Sequence, residues 1–168
     1  MAGSMRLRRK RPEDNNMALN TYWFPWTIDS VRNMLESLSE KWQQVILYGE
    51  IYGSGIQKGY GYDRTPGKLG FRVFDLMLEG DYQCYAVMKG LCLEFGVEMV
   101  PALYEGPFSI EAIRKVAGGM TTVGDSNIRE GVVIKPVSER RHPQVGRLAM
   151  KYLSDDYLLS KHPDSTDV

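Results

Sequence analysis

Apolar positions recur along this chain with two different periods. Ile28, Val31, Leu35, Leu38 and Trp42 repeat at helical spacing, with Thr27 placed to cap the segment and Asp29 in its first turn. The stretch therefore predicts a helix that buries one stripe against a sheet. An aromatic cluster at residues 22–26, interrupted by Pro25, precedes it, and residues 11–16 read as a loop. Strand-like runs occupy residues 45–52, 71–78, 129–136 and 147–154. Residues 82–95 predict a helix ended by Gly96, residues 97–104 a strand, and residues 109–116 a capped helix ended by Gly118. Ser154 is placed to cap a short terminal helix, and residues 161–168 read as a frayed tail. Residues 53–70 hold six glycines and fit either a mobile, ligand-approaching loop or a plain flexible linker. No internal repeat or Pro/Ser-rich linker is present, so the pattern predicts one α+β domain over residues 1–168, with antiparallel sheets flanked by helices.

The strand-like runs carry polar residues inside apolar surroundings, where an isolated charge is costly unless a ligand, metal or counter-charge meets it. Strand alternation puts Ile46, Tyr48, Glu50 and Tyr52 on one face of the first run and Val45, Leu47 and Ile51 on the other. Glu50 is then either a cleft carboxylate or an edge glutamate facing solvent. Gly49 and Gly53 remove side chains where a ligand would approach the backbone. The second run groups Arg72, Phe74, Leu76 and Leu78 against Phe71, Val73, Asp75 and Met77. Phe74 presents its ring to a cleft or joins the core, and Asp75 braces neighbouring backbone without a catalytic assignment. Glu130, second in the third run, is either a metal-associated carboxylate at a strand mouth or a solvated strand-end glutamate, with Lys135 on the opposite face by parity. Lys151 in the fourth is a phosphate cation or a snorkelling surface lysine.

Composition removes several classes. At 168 residues, 43% hydrophobic and 25% charged, the chain is ordinary for a globular domain. No apolar run approaches the roughly 18 residues of a spanning helix, and the N-terminal residues hold no signal-type apolar stretch. Cys84 and Cys92 are eight residues apart in a predicted helix, about 12 Å along its axis, too far for a bridge within it. They read as reduced thiols of a cytoplasmic protein. Neither they nor His142 and His162 have zinc-ligand spacing. Net charge is zero, yet Arg6, Arg8, Arg9, Lys10 and Arg11 form a basic run that either contacts phosphates or is a solvated arm.

In order and spacing, residues 45–52, 71–78 and 129–136 resemble motifs III, IIIa and IV of the covalent nucleotidyltransferases. That superfamily comprises ATP-dependent RNA ligases, DNA ligases and mRNA capping enzymes. Residues 147–154 fall where motif V belongs, and the resemblance is strongest to the nick-sealing RNA ligases, the second phage-type family. It implies part of an ATP-grasp-like adenylyltransferase domain with ATP as AMP donor, Mg²⁺ as metal and RNA ends as partners, working in RNA repair. The implied activity joins a 5′-phosphate to a 3′-OH through lysyl-AMP and RNA-adenylate intermediates. By the same resemblance Glu50 contacts the ribose, Phe74 stacks on adenine, Glu130 positions the metal and Lys151 meets the α-phosphate. Arg6, in the Gly3-Ser-Met-Arg6 string similar to motif Ia, serves the substrate phosphates. Glu50, Phe74, Glu130 and Lys151 are expected to converge on one cleft.

The chain also departs from that pattern. The family's nucleophilic lysine lies in a K-x-D/N-G motif ahead of motif III, and no such tetrapeptide occurs here. The expectation is a domain truncated at its N-terminal side and inactive by itself. Two looser K-x-x-G strings, at Lys58 and Lys115, do not follow a buried strand in the required order. Motif V commonly carries K-x-K, and Ala149 stands where the first lysine belongs, with Arg147 four residues before Lys151 as a partial substitute. The alternatives are a non-catalytic nucleotide- or RNA-binding module and a DNA ligase or capping-type enzyme.

Overall fold

The computed structural model describes residues 2–6, 21–53, 56, 68–123 and 127–160. The predicted loop at 11–16, the basic residues from Arg8 to Arg11, most of the glycine-rich stretch and the predicted tail lie outside them. The chain groups into two compact units, one of residues 1–57 and 65–100 and one of residues 58–64 and 101–168.

The first unit is a four-stranded antiparallel sheet in the order β1 (Ala2–Arg6), β2 (Val45–Gly53), β3 (Leu69–Leu78) and β4 (Asp81–Tyr82). Two helices, α1 (Asp29–Ser39) and α2 (Tyr85–Phe95), pack with it into one core. Val31, Met34, Leu35 and Leu38 of α1 meet Val45, Leu47 and Ile51 of β2, Phe71, Val73, Leu76 and Leu78 of β3, and Met88 and Cys92 of α2. The expected α1 stripe is thus buried up to Leu38, while Trp42, three residues past the helix end, is 41% exposed. The aromatic cluster forms a 3-10 helix, Thr21–Thr27, with Pro25 buried.

Three local expectations are corrected. Thr27 does not cap α1: its hydroxyl donates back to Phe24 O at 2.7 Å, and Ile28 occupies the N-cap without a side-chain bond. Helix α2 begins at Tyr85 because Asp81 and Tyr82 are taken by β4. Residues 97–104 make only a single parallel bridge, Met99 to Val73, in which Val73 N donates to Glu98 O and Val100 N to Val73 O, both at 2.9 Å. Pro101 follows immediately and has no N–H with which to extend a ladder.

The second unit contains α3 (Ile110–Ala117), β5 (Gly131–Ile134), a small hairpin of β6 (Arg141–His142) and β7 (Gly146–Arg147), β8 (Met150–Leu153) and α4 (Asp155–Leu159). Strand β5 pairs antiparallel with β8, and β6 with β7. Both sequence-predicted caps form here. Ser109 Oγ accepts from Ala112 N at 3.3 Å, and Ser154 Oγ accepts from Tyr157 N at 3.2 Å. The Ser109 hydroxyl also donates to Glu111 Oε2 at 2.7 Å, which lowers that carboxyl below its usual range.

Cys84 and Cys92 are both unpaired, and burial pushes the Cys92 thiol from 9.0 up to about 11. The folded state therefore resists ionising this group, so the stability gained by keeping it neutral is full below pH 9 and is lost as the pH rises through about 11. A disulfide reagent at pH 8 is expected to titrate no more than one thiol in the native protein and both in denaturant. A Cys92→Ala variant should leave the native titre unchanged; a native titre of two would show that Cys92 is not sequestered.

Candidate functional site

In an antiparallel pair, residues directly opposite one another share a face of the sheet. The β2–β3 register pairs Ile51 with Phe71, Glu50 with Arg72 and Gly49 with Val73, then jumps to pair Tyr48 with Asp75. Phe74 is the extra residue, so Phe74 and Asp75 together oppose Tyr48, which is the arrangement of a β-bulge. Past the bulge the parity of β3 reverses. Leu76 and Leu78 join Phe71 and Val73 on the buried side, whereas Asp75 and Met77 join Tyr48 and Glu50 on the other. The period-2 reading separated Asp75 from Phe74 and grouped Leu76 and Leu78 with Phe74; one inserted residue overturns both placements.

The result is a polar and aromatic face on the first unit. Glu50, Tyr48, Tyr52, Arg72 and Phe74 are half-buried, and Asp75 is 7% exposed. Arg72 Nε donates to the Tyr52 hydroxyl at 3.2 Å and its Nη1 to Met99 O at 3.3 Å, while Nη2 lies 3.4 Å from Glu98 Oε2. The guanidinium also sits 5.8 Å from the Tyr52 ring centroid. The Tyr48 and Tyr82 rings are 5.6 Å apart. Phe74, half-buried, is not part of the aliphatic core, and alternation from Arg72, the partner of Glu50, sets it toward the face that carries Glu50. Gly49 has a different role from the ligand clearance expected of it: a Cβ there would meet the Phe71 ring at 2.2 Å, so the vacancy is filled by packing from within the chain. Arg72 was visible as a charge in a strand, but its position opposite Glu50 depends on register, which no single strand reveals.

Arg6 lies at the end of β1, with Ile46 as its Cα partner, and Ala2 stands opposite Glu50. The string similar to motif Ia therefore forms an edge strand on β2.

In the second unit the β5–β8 pairing brings Glu130 and Lys151 together, although 21 residues separate them. Lys151 Nζ donates to Glu130 Oε1, and the two side chains are 58% and 40% exposed. The register sets Lys151 opposite Val133, and Ser154 N donates to Glu130 O at 2.8 Å. Gly131 makes this close approach feasible, since a Cβ there would lie 2.0 Å from Tyr152 O.

Two residues that carried no functional assignment in the sequence hold Glu130 in place. The Arg129 guanidinium donates to the carbonyls of Val116, Gly118 and Met120 and so anchors to the C-terminal end of α3, where carbonyls lack helical partners. Ser154, 2% exposed, donates from Oγ to Arg129 O at 2.7 Å while capping α4. Arg147, the substitute considered for the missing first lysine of motif V, is engaged by Glu139 through two bonds of 2.8 and 2.7 Å. Ala149 is exposed between β7 and β8. Of the two looser lysine strings, Lys115 is an exposed residue in the last turn of α3, and Lys58 lies outside the described residues.

Chemically, Glu130 offers a solvent-accessible carboxylate beside an ammonium. Among the described residues no group of three or more His, Cys, Asp or Glu side chains could hold a metal ion. A Mg²⁺ ion needs no such cage, because it is commonly bound by one or two carboxylates with substrate phosphates and water.

A scan of protein families matches residues 3–153 to RNA ligase. The chain belongs to the RNA ligase family. Among solved structures, this family member is similar to Naegleria gruberi RNA ligase. A variant of that ligase with ATP and Mn superposes with a TM-score of 0.69 at 21% identity, covering 94% of this chain and 48% of the other. A second variant with AMP and Mn gives 0.68 at 22% identity over 94% and 47%. The same ligase with PPi gives 0.58 at 24% identity over 79% and 39%. These likenesses establish the fold: a mixed α+β architecture with antiparallel sheets, matching part of an RNA ligase. The chain spans about half the length of the solved structure with the TM-score of 0.69. A search of curated proteins found no match.

The β5–β8 contact yields a stability prediction. Gly131→Ala should cost about 1 to 3 kcal/mol or more, because the added methyl must push Tyr152 O away. Ser154→Ala should cost about 1 to 2 kcal/mol for the lost cap and the unsatisfied Arg129 carbonyl. Urea unfolding measures both, and unchanged midpoints would show that β5 and α4 are not braced in this way.

Proposed function

We propose that this family member takes part in nick-sealing-type RNA ligation by ATP-dependent nucleotidyl transfer, serving RNA repair in the cytoplasm. The observation that carries the reading is the Glu130–Lys151 contact. Two groups chosen separately from the sequence, one for metal and one for phosphate, meet across β5–β8. In support, Glu50 and Phe74 share a face of the first sheet, neighbouring ligase folds were solved with ATP, AMP and Mn, and the two unpaired cysteines suit a reducing compartment. No helix among the described residues is long and apolar enough to cross a membrane.

In this proposal Phe74 stacks on adenine and Glu50 accepts from the ribose hydroxyls. Lys151 places a compact positive charge at the α-phosphate, where negative charge grows as the nucleophile attacks. Arg6 serves the substrate phosphates. Glu130 holds Mg²⁺, which when bound screens phosphate charge and orients the triphosphate. For both assignments to hold, Lys151 must release Glu130 as nucleotide and metal arrive. An exposed ion pair is worth only about 0 to 1 kcal/mol, so the exchange is inexpensive.

The 168 residues hold no K-x-D/N-G tetrapeptide. We propose that this chain supplies a nucleotide-binding half-site within one adenylyltransferase domain, and that the lysyl-AMP step draws its nucleophile from a segment this chain lacks. A non-catalytic nucleotide-binding role is the second reading, favoured by the same missing motif.

Titration calorimetry with ATP and Mg²⁺ should detect non-covalent binding. Phe74→Ala should weaken it by roughly 1 to 3 kcal/mol, the value of a lost stacking partner. Glu130→Ala should remove most of its metal dependence. Radiolabelled ATP should leave no protein band surviving a denaturing gel; such a band would point to Lys58 or Lys115 as nucleophile. If an added segment bearing K-x-D/N-G gives adenylylation, Glu130→Ala and Lys151→Ala should each lower it by orders of magnitude, about 3 kcal/mol or more. Full activity in Glu130→Ala would refute the assignment.

A further inference from the structure

The hairpin β6–β7 has no part in the contacts that assemble Glu130 and Lys151, yet it is firmly built. Two strands of two residues are marginal in water by themselves. Here the base is closed by the bidentate Arg147–Glu139 pair, whose side chains are only 18% and 22% exposed, and by Leu148 N donating to Arg140 O at 3.0 Å. The tip is a three-residue loop, Pro143-Gln144-Val145, ended by Gly146 at φ +74°. His142 Nδ1 accepts from Gln144 N at 3.2 Å and stiffens that loop.

The Glu139–Arg147 pair cancels its own charge, and what remains has one sign. Arg140 and Arg141 are both exposed, no side chain among the described residues engages either guanidinium, and residues 140–146 contain no carboxylate. The one exposed large aliphatic side chain of residues 140–147 is Val145, and a single such residue is ordinary surface rather than a docking patch for a protein. A guanidinium fork matches phosphate oxygens in two bonds. The hairpin also leads directly into β8, and the four residues from Arg147 to Lys151 span at most about 14 Å.

We propose that this hairpin is a binding site for the phosphodiester backbone of RNA, with Arg140 and Arg141 each neutralising a phosphate within a few nucleotides of the one served by Lys151. The location relative to the reacting phosphate rests on the role of Lys151 proposed above; the polyanion contact does not.

The test is fluorescence anisotropy of the full chain with a labelled, 5′-phosphorylated nicked RNA duplex between 50 and 200 mM salt. Arg140→Ala/Arg141→Ala should weaken binding at least tenfold at the lower salt and reduce the log–log salt slope by about 2, roughly one per lost phosphate contact. Its thermal midpoint and ATP affinity should match the parent. Arg140→Lys/Arg141→Lys should restore most of the slope, because charge rather than fold carries it, and this holds even if the alanine variant is impaired in folding. An unchanged slope, failure of the parent to bind RNA, or equally tight arginine-dependent binding to polyglutamate would each overturn the proposal. ATP binding that ignores Phe74→Ala while the hairpin effect persists would instead sink the nucleotide half-site alone.

Discussion

Cross-strand partners in an antiparallel ladder must lie on the same face, and that constraint governs what the first unit can do. A strand with a strict period of two cannot both bury Phe71, Val73, Leu76 and Leu78 against the helices and keep an unbroken ladder with β2. The four residues do not share one parity. The bulge at Phe74 resolves the conflict by adding one residue, which realigns Leu76 and Leu78 with the core. The same residue that adjusts the packing is the aromatic set beside Glu50's face. Bulges commonly re-aim side chains next to ligand sites, and here the requirement of the core and the exposure of the ring have one origin.

The second unit meets a different constraint. Its aliphatic core is small, with Ile113 and Ala117 as its buried hydrophobic residues among those described. Hydrogen bonds do the positioning instead. Arg129 ties the start of β5 to the end of α3, and Ser154 ties the end of β8 to the Arg129 carbonyl and the start of α4. Glu130 lies between these two anchors, so its backbone is fixed while its carboxylate stays accessible. Replacing Gly131 would disturb this arrangement through sterics alone, which gives that glycine a structural reason to follow the glutamate.

What the sequence revealed follows from the range of each interaction. Helix periodicity and local capping are short-range, so α1, α2, α3 and the caps at Ser109 and Ser154 were legible within a few residues. Strands β2, β3, β5 and β8 were legible too, because apolar runs announce themselves, whereas the run at 97–104 yields only a bridge and the two-residue β4 and β6 carry no such run. Facing beyond Phe74 was not, since a bulge is defined by a partner strand about 26 residues earlier in the chain, at Tyr48. The anchors made by Arg129 were likewise hidden: an arginine before a strand is unremarkable until the carbonyls of α3 are seen around it. Edge strand β1 was not read as a strand: Arg6 was taken as the start of a basic run and residues 3–6 as a string similar to motif Ia, because five residues rich in small side chains have no amphipathic pattern to declare a strand.

The Glu130–Lys151 pair allows one further step. Both side chains remain well exposed, so neither ion has paid the desolvation cost that makes buried pairs difficult to separate. Their mutual attraction is screened and small, which makes the pair a placeholder rather than a fixed element of the fold. The backbone around them has the opposite character, being held by Gly131 against Tyr152 and by Ser154 against both Arg129 and Glu130. A braced main chain with exposed, weakly paired charges is what the proposed phosphate and metal roles ask of this locus. Under the proposed roles, Glu130 and Lys151 would exchange this contact for metal and phosphate without moving the strands that carry them.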